Sequence, residues 1–245
     1  MLKFSTLTRG NPSLPPLIFL HGFLGCKEDW EGFFPYFEDR YHCIAWDLPG
    51  HGSTPYCDHI LRAVKEEIQR TCSKKPLLLG YSMGGRIALS LKEYASALII
   101  LCSHPGLKTQ KEKDERLQID KTWSEKLQTL PFDHFLKEWY AQPIFPPNSQ
   151  MPPQRKRNQN PQSLSRVMTQ MSLSSQEYGE DYPIPTLFLH GEKDLKYAEL
   201  YRTLPKSVAV RSVDHSGHAV HLEQTLLCAN HILNWLETYA DIRRS

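Results

Sequence analysis

Three absences narrow the class of this protein before any motif is read. No stretch of the 245 residues reaches the roughly 18 apolar residues of a membrane helix, so no membrane span is expected. No Cys-x-x-Cys pair occurs among Cys26, Cys43, Cys57, Cys72, Cys102 and Cys228, and no cysteine and histidine spacing completes a zinc set. Cys43 and Cys102 instead lie inside apolar runs, where cysteine behaves as a small hydrophobe. Charge of one dominant sign is missing too: 29 Lys and Arg face 27 Asp and Glu, a formal net charge of +2. That balance removes the global field that would point to nucleic acid as a partner. Met1 to Arg9 lacks the apolar run and small-residue site of a signal peptide, and a cytoplasmic location is expected.

What is present is ordinary globular usage, 40% hydrophobic and 23% charged. The length suits one α/β domain carrying an insertion. Continuous apolar runs at Leu17 to Leu20, Cys43 to Trp46, Leu77 to Leu79, Ala97 to Cys102 and Thr186 to Leu189 read as strands covered on both faces. Val208 to Val213 is a weaker sixth, and Leu2 to Leu7 a leading edge strand. Helical spacing recurs over Asp58 to Thr71, Gly84 to Tyr94 and Leu222 to Tyr239. This alternation predicts an α/β fold with a mostly parallel sheet. Residues 103–181 break the rhythm, with helices expected around Glu112 to Leu130 and Phe132 to Tyr140 and a proline-rich loop over Pro143 to Pro161. The expected organisation is a core of 1–102 and 182–245 with a helical cap inserted at 103–181.

Chemistry concentrates at Gly80-Tyr81-Ser82-Met83-Gly84. A serine on a sharp turn between a strand and a helix needs glycine neighbours, because side chains there would collide with one element or the other. The strand Leu77 to Leu79 precedes this turn and a helical pattern follows it, which is the context of a nucleophile elbow. Ser82 is therefore the candidate nucleophile. His21-Gly22-Phe23-Leu24-Gly25 follows an earlier strand, and the N–H groups of Phe23 and Met83 are the candidate oxyanion hole. His21 itself reads as a loop brace. A carboxylate and then a histidine should follow in chain order. Asp194, past the strand Thr186 to Leu189, is preferred over Glu192 and Asp181 as the acid. His218 is preferred over His215 and His221 as the base, since Gly217 frees the loop before it and the last helix starts soon after. Those three histidines stand at intervals that could suit a metal, but no clustered carboxylates or cysteines accompany them; neither metal nor cofactor is expected.

These segments, with Asp47-Leu-Pro-Gly-His-Gly-Ser53 and Gly191-Glu-Lys-Asp194, resemble the α/β-hydrolase superfamily. Ser103-His-Pro-Gly-Leu107, Arg116-Leu-Gln-Ile-Asp120 with Trp123, and Trp139-Tyr-Ala-Gln-Pro-Ile-Phe145 resemble, more narrowly, the MenH family of 2-succinyl-6-hydroxy-2,4-cyclohexadiene-1-carboxylate synthases of menaquinone biosynthesis. The resemblance implies an α/β-hydrolase fold and elimination of pyruvate from a small anionic substrate, with the serine acting as a base and no acyl-enzyme. It also implies that Arg86, Arg116 and Arg157 grip carboxylates, with Tyr81, Trp139 and Lys196 as pocket neighbours. Arginine suits that task because its planar fork binds a carboxylate bidentately. The alternative is a carboxylesterase, such as one releasing a pimeloyl-carrier-protein methyl ester, for which a basic cap would meet an acidic acyl carrier protein. A third reading, a hydrolase fold turned binding module, usually carries a broken triad, and here Ser82, Asp194 and His218 are all present.

Overall fold

The computed structural model describes residues 2–145 and 159–242. Its strands are β1 (Thr6–Arg9), β2 (Pro16–Leu20), β3 (His42–Trp46), β4 (Leu77–Tyr81), β5 (Ala97–Leu101), β6 (Thr186–Gly191) and β7 (Ala209–Val213). They form one sheet in the order β1-β3-β2-β4-β5-β6-β7, parallel throughout except for β1, which runs antiparallel to β3. Strand β2 lies between β3 and β4, so the crossovers leave it in opposite directions. The crevice beyond the carboxyl ends of β2 and β4 is thus the place where open α/β sheets bind ligands.

The leading strand lies later than expected, at Thr6–Arg9 rather than Leu2 to Leu7. Pairing with β3 sets its register, Thr6 opposite Trp46 and Arg9 opposite Cys43. Phe4 drops out of the ladder to pack edge-on against the Trp46 ring at 5.5 Å. Tertiary burial has overridden the apolar lure of the first residues.

The pleat sends alternate strand residues to opposite faces. Ile18, Leu20, Ile44, Leu78, Leu98 and Phe188 join one core beneath α2 (Ile60–Thr71) and α3 (Met83–Ser90). Leu17, Phe19, Leu79, Ile99 and Leu189 join the other, with Trp30, Phe33 and the Phe34 and Phe37 side chains of α1 (Phe34–Phe37). Both sides of the central strands are therefore dry, as the unbroken apolar runs required.

Between β5 and β6 lie α4 (Gln110–Thr129), α5 (Phe132–Tyr140) and α6 (Pro161–Gln170). Helix α4 begins in a capping box, with Thr109 Oγ1 accepting from the Glu112 N–H and Glu112 accepting from the Thr109 N–H. The sequence reading missed α6, because the many prolines masked its start. Asn160 accepts from the Ser163 N–H at 2.9 Å and Pro161 occupies the first turn, where a missing N–H costs nothing. Leu127, Phe135, Leu136 and Leu164 of these helices enclose Leu24 from the loop after β2. Through Leu24, the insertion grips the loop that carries Phe23.

After β6 come α7 (Leu195–Tyr201), β7, the short α8 (Val220–Glu223) and α9 (Thr225–Ile242). The single final helix expected from periodicity is thus broken at Gln224, whose φ is −139°. The break lets α8 turn toward the sheet end and hold the loop before it. No helix among the described residues is long and apolar enough to cross a membrane.

Candidate active site

Strand β4 ends and reverses into α3 through Ser82, whose φ of 50° and ψ of −110° lie where side-chain-bearing residues seldom settle. The surroundings hold it there: the Ser82 N–H donates to Leu101 O at 2.9 Å, and Ser103 Oγ donates to Ser82 O at 2.7 Å. Glycine is needed on either side, since a Cβ on Gly80 would meet the Gly84 carbonyl and one on Gly84 the Leu20 carbonyl. The same closeness keeps Ser82 Oγ proud of the sheet.

His218 sits on the loop between β7 and α8, its Nε2 3.4 Å from Ser82 Oγ and its Nδ1 2.7 Å from Asp194 Oδ2. Both Asp194 and His218 are buried. Asp194 is also the N-cap of α7, its Oδ1 accepting from the Tyr197 N–H at 3.3 Å. One carboxylate thereby starts a helix with one oxygen and orients the imidazole with the other. Glu223 fixes the histidine loop, accepting from the Gly217 N–H at 2.7 Å and the Ala219 N–H at 3.0 Å.

The competing residues lie elsewhere. His215 is exposed, and its backbone N–H donates to Glu192 at 2.8 Å, whereas His218 Nδ1 is bonded to Asp194. His221 is buried between the rings of Trp30, at 4.6 Å, and Tyr81, at 4.3 Å. Asp181 is exposed and meets Lys92 through its backbone carbonyl. The three histidines thus do not converge. Cys102 does share space with Asp194 and His218, their ligand atoms lying within 4.8 Å of one another. Burial pushes that thiol well above its usual range, so it stays protonated and apolar.

The loop after β2 crosses over the elbow: a Cβ on Gly22 would stand 3.5 Å from Ser82 Cβ. His21 braces it, accepting from the Leu48 N–H at 2.9 Å and donating through Nδ1 to Gly22 O at 2.7 Å. Phe23 and Met83 both border the cavity into which Ser82 opens.

A sequence model described as the alpha/beta hydrolase family matches residues 17–230. The chain belongs to that family. A protein named 2-succinyl-6-hydroxy-2,4-cyclohexadiene-1-carboxylate synthase from Klebsiella pneumoniae is 30% identical over 244 residues, covering 90% of this chain and 93% of that one. Its namesake from Photorhabdus laumondii is 29% identical over 247 residues, covering 90% and 86%. Among solved structures, MenH from S. aureus superimposes with a TM-score of 0.86 at 25% identity, covering 97% of this chain and 99% of the other. A thermophilic esterase from Thermogutta terrifontis shares the fold, with a TM-score of 0.74 at 18% identity over 97% and 94%.

In this α/β hydrolase the cavity has a volume of about 570 Å³, and its lining carries both signs of charge: Arg86, Arg116 and Lys196 with Asp29, Asp120 and Glu223. Arg86 reaches it from α3, Arg116 from α4 and Lys196 from α7. Arg86 Nη1 donates to Met171 O at 2.6 Å, and burial, reinforced by Arg116, pushes its guanidinium down to about 10. Burial and Arg116 likewise lower Lys196. Arg116 is steadied by buried Asp120, which takes its Nε at 2.8 Å on one oxygen and Ser172 Oγ at 2.8 Å on the other. Binding through Nε leaves the rest of the guanidinium fork for a ligand. Arg116 thus lowers both of its cationic neighbours, while Asp120 opposes the effect on Arg86 and Asp194 the effect on Lys196.

Trp139 forms an apolar wall, its ring 5.2 Å from Phe23 and 5.1 Å from Trp123. Tyr81 lies under the site with its ring 5.3 Å from His218, and burial holds its hydroxyl well above the usual range. Arg157 lies outside the described residues. Sequence reading gave no role to three further residues that line the cavity, namely Glu223, Asp120 and His104. A signal existed for His104, which stands just past the carboxyl end of β5, where parallel sheets present ligand-facing residues.

Proposed function

We propose that this chain is a 2-succinyl-6-hydroxy-2,4-cyclohexadiene-1-carboxylate synthase, a lyase that eliminates pyruvate from a multi-carboxylate cyclohexene in menaquinone biosynthesis. The observation that carries this reading is the convergence of Arg86, Arg116 and Lys196 on the cavity that Ser82 opens into. Those cations suit a small substrate with several carboxylates, and the likeness to synthases of that name extends over nearly the whole chain.

In the proposed reaction Ser82 Oγ gives its proton to His218 Nε2 and removes a ring proton from the substrate. The electron pair of that C–H bond forms the new ring double bond. The C–O bond to the leaving group breaks with its own pair, and pyruvate departs as its enolate, which then takes up a proton. Asp194 holds the His218 tautomer that accepts at Nε2. The N–H groups of Phe23 and Met83 stabilise the oxygen on which charge gathers, each donor contributing about 3 kcal/mol to the barrier reduction. The arginines fix the carboxylates so that the ring proton meets Ser82, and no acyl-enzyme forms.

The test is a paired assay of pyruvate release and of methyl ester cleavage on a carrier-linked acid. The proposal expects rapid pyruvate release that falls to background in Ser82→Ala. Fast ester cleavage with no pyruvate release would establish the carboxylesterase instead.

A further inference from the structure

His104 stands among cations, and its chemistry differs from theirs. It follows β5, lines the same cavity as Ser82, and is mostly buried. Its Nδ1 accepts from the Gly106 N–H at 3.1 Å, a bond made possible by the φ of 122° at Gly106, where a side chain would meet Tyr178 and the Glu177 carbonyl. The backbone is pinned too, because Gln176 Nε2 donates to His104 O at 3.1 Å. An imidazole whose Nδ1 accepts a hydrogen bond carries its proton on Nε2. The ring therefore offers the cavity a neutral N–H donor in a fixed orientation.

The surroundings keep it neutral. Burial acts first, and the positive charges of Lys196, Arg116 and Arg86 add to it, so that the imidazole is pushed down to about 4. The nearby carboxylate of Glu112 is engaged at the start of α4 by the Thr109 and Lys108 N–H groups. A fourth cation would only add repulsion; a neutral donor recognises a different kind of atom.

We propose that His104 is a specificity-determining residue that donates through Nε2–H to an uncharged oxygen of the substrate, a ketone or a hydroxyl, while the arginines and Lys196 take its carboxylates. This rests on the synthase reading, whose named product carries two carboxylates, one ketone and one ring hydroxyl. It adds to the charged grips, which supply attraction, a neutral contact that discriminates among anions of similar charge. Such discrimination is strong because a ligand lacking the oxygen leaves a buried donor unpaired.

The test edits ligand and residue together, measuring binding by calorimetry to the full-length protein. One ligand pair is 2-succinylbenzoate and its analogue with the ketone replaced by methylene; the other is the hydroxycyclohexadiene product and 2-succinylbenzoate, which lacks the hydroxyl. Wild type should prefer the oxygen-bearing member of one pair by about 10-fold, and the pair that responds identifies the oxygen. His104→Phe, which keeps a planar ring without the donor, should reduce that ratio to about 2-fold or less, and His104→Gln, which keeps an N–H, should restore part of it. Equal binding within both pairs by wild type overturns the proposal whether or not the variants fold. So does a ratio that persists in His104→Phe. Pyruvate release by wild type is read separately, so that failure of the synthase reading is distinguishable from failure of the His104 assignment.

Discussion

Asp194 offers a way to separate a structural from a chemical duty within one side chain. Its Oδ1 caps α7 through the Tyr197 N–H and its Oδ2 receives the His218 Nδ1–H at 2.7 Å. Asp194→Asn retains an oxygen for the cap but presents an NH₂ to Nδ1, which forces the imidazole proton onto Nε2. In that tautomer His218 cannot accept the Ser82 proton, and turnover should fall by about 10⁴-fold, the scale seen when a triad carboxylate is neutralised. Folding should be little affected. Asp194→Ala removes the cap as well, at about 1 kcal/mol, and leaves the buried Nδ1–H unpaired, at about 1–3 kcal/mol more. For a chain of this size each kcal/mol lowers the melting temperature by about 2–4 °C. Pyruvate release followed by a lactate dehydrogenase couple reads the first effect, and thermal unfolding by circular dichroism the second. An Asn variant that keeps more than about a tenth of wild-type turnover would refute the tautomer argument. An Ala variant that melts with wild type would refute the cap.

Arg116→Ala should lower kcat/KM toward the multi-carboxylate substrate by tens-fold, about 2 kcal/mol or more for a lost charged contact, and an unchanged kcat/KM would remove Arg116 from the site. Acid stability should report His104. Its folded value of about 4 lies below the unfolded value of about 6.5, so between them only the unfolded chain takes up the proton. Stability from this group is therefore complete above about pH 6.5 and is lost as pH falls toward 4. His104→Gln should flatten the dependence of the urea midpoint on pH across that window, by up to about 3 kcal/mol. Buried His51, lowered in the same direction, continues to contribute in both proteins, and parallel curves would refute the assignment.

The sheet was legible because its central strands are apolar on both faces and bounded by glycine, proline or aspartate. Ser82 was legible because Gly80 and Gly84 have no alternative there: a Cβ at either would meet backbone. The elements that were misplaced depend on contacts distant in sequence. Phe4 left the first strand to reach Trp46, and α6 announced itself only through the Asn160 cap amid prolines. Glu223 escaped notice for the same reason. A surface-type carboxylate on a short helix has no local mark of function, and only the folded loop brings the Gly217 and Ala219 N–H groups to it. His104 stood in a quoted segment, yet the Gly106 bond that fixes its tautomer is a matter of backbone geometry and not of spacing.

A serine, a histidine and an aspartate in this arrangement do not by themselves choose between attacking an ester and removing a proton, because an esterase shares the fold at a TM-score of 0.74. The choice has to come from what holds the substrate, and here the cations reach the cavity from different parts of the fold. Arg86 lies on the turn that Ser82 begins, and its own N–H donates to Ser82 O at 3.1 Å. Lys196 belongs to α7, the helix that Asp194 caps. On the proposed function, a carboxylate gripped by either would therefore be placed relative to Ser82 by the core of the fold. Arg116 comes from the inserted helices, positioned by Asp120 and Ser172. The same insertion encloses Leu24, next to the Phe23 amide. On the proposed function, one of the carboxylate grips and one of the oxyanion donors would thus both depend on the packing of the inserted helices, while Arg86 and Lys196 are set by elements of the core.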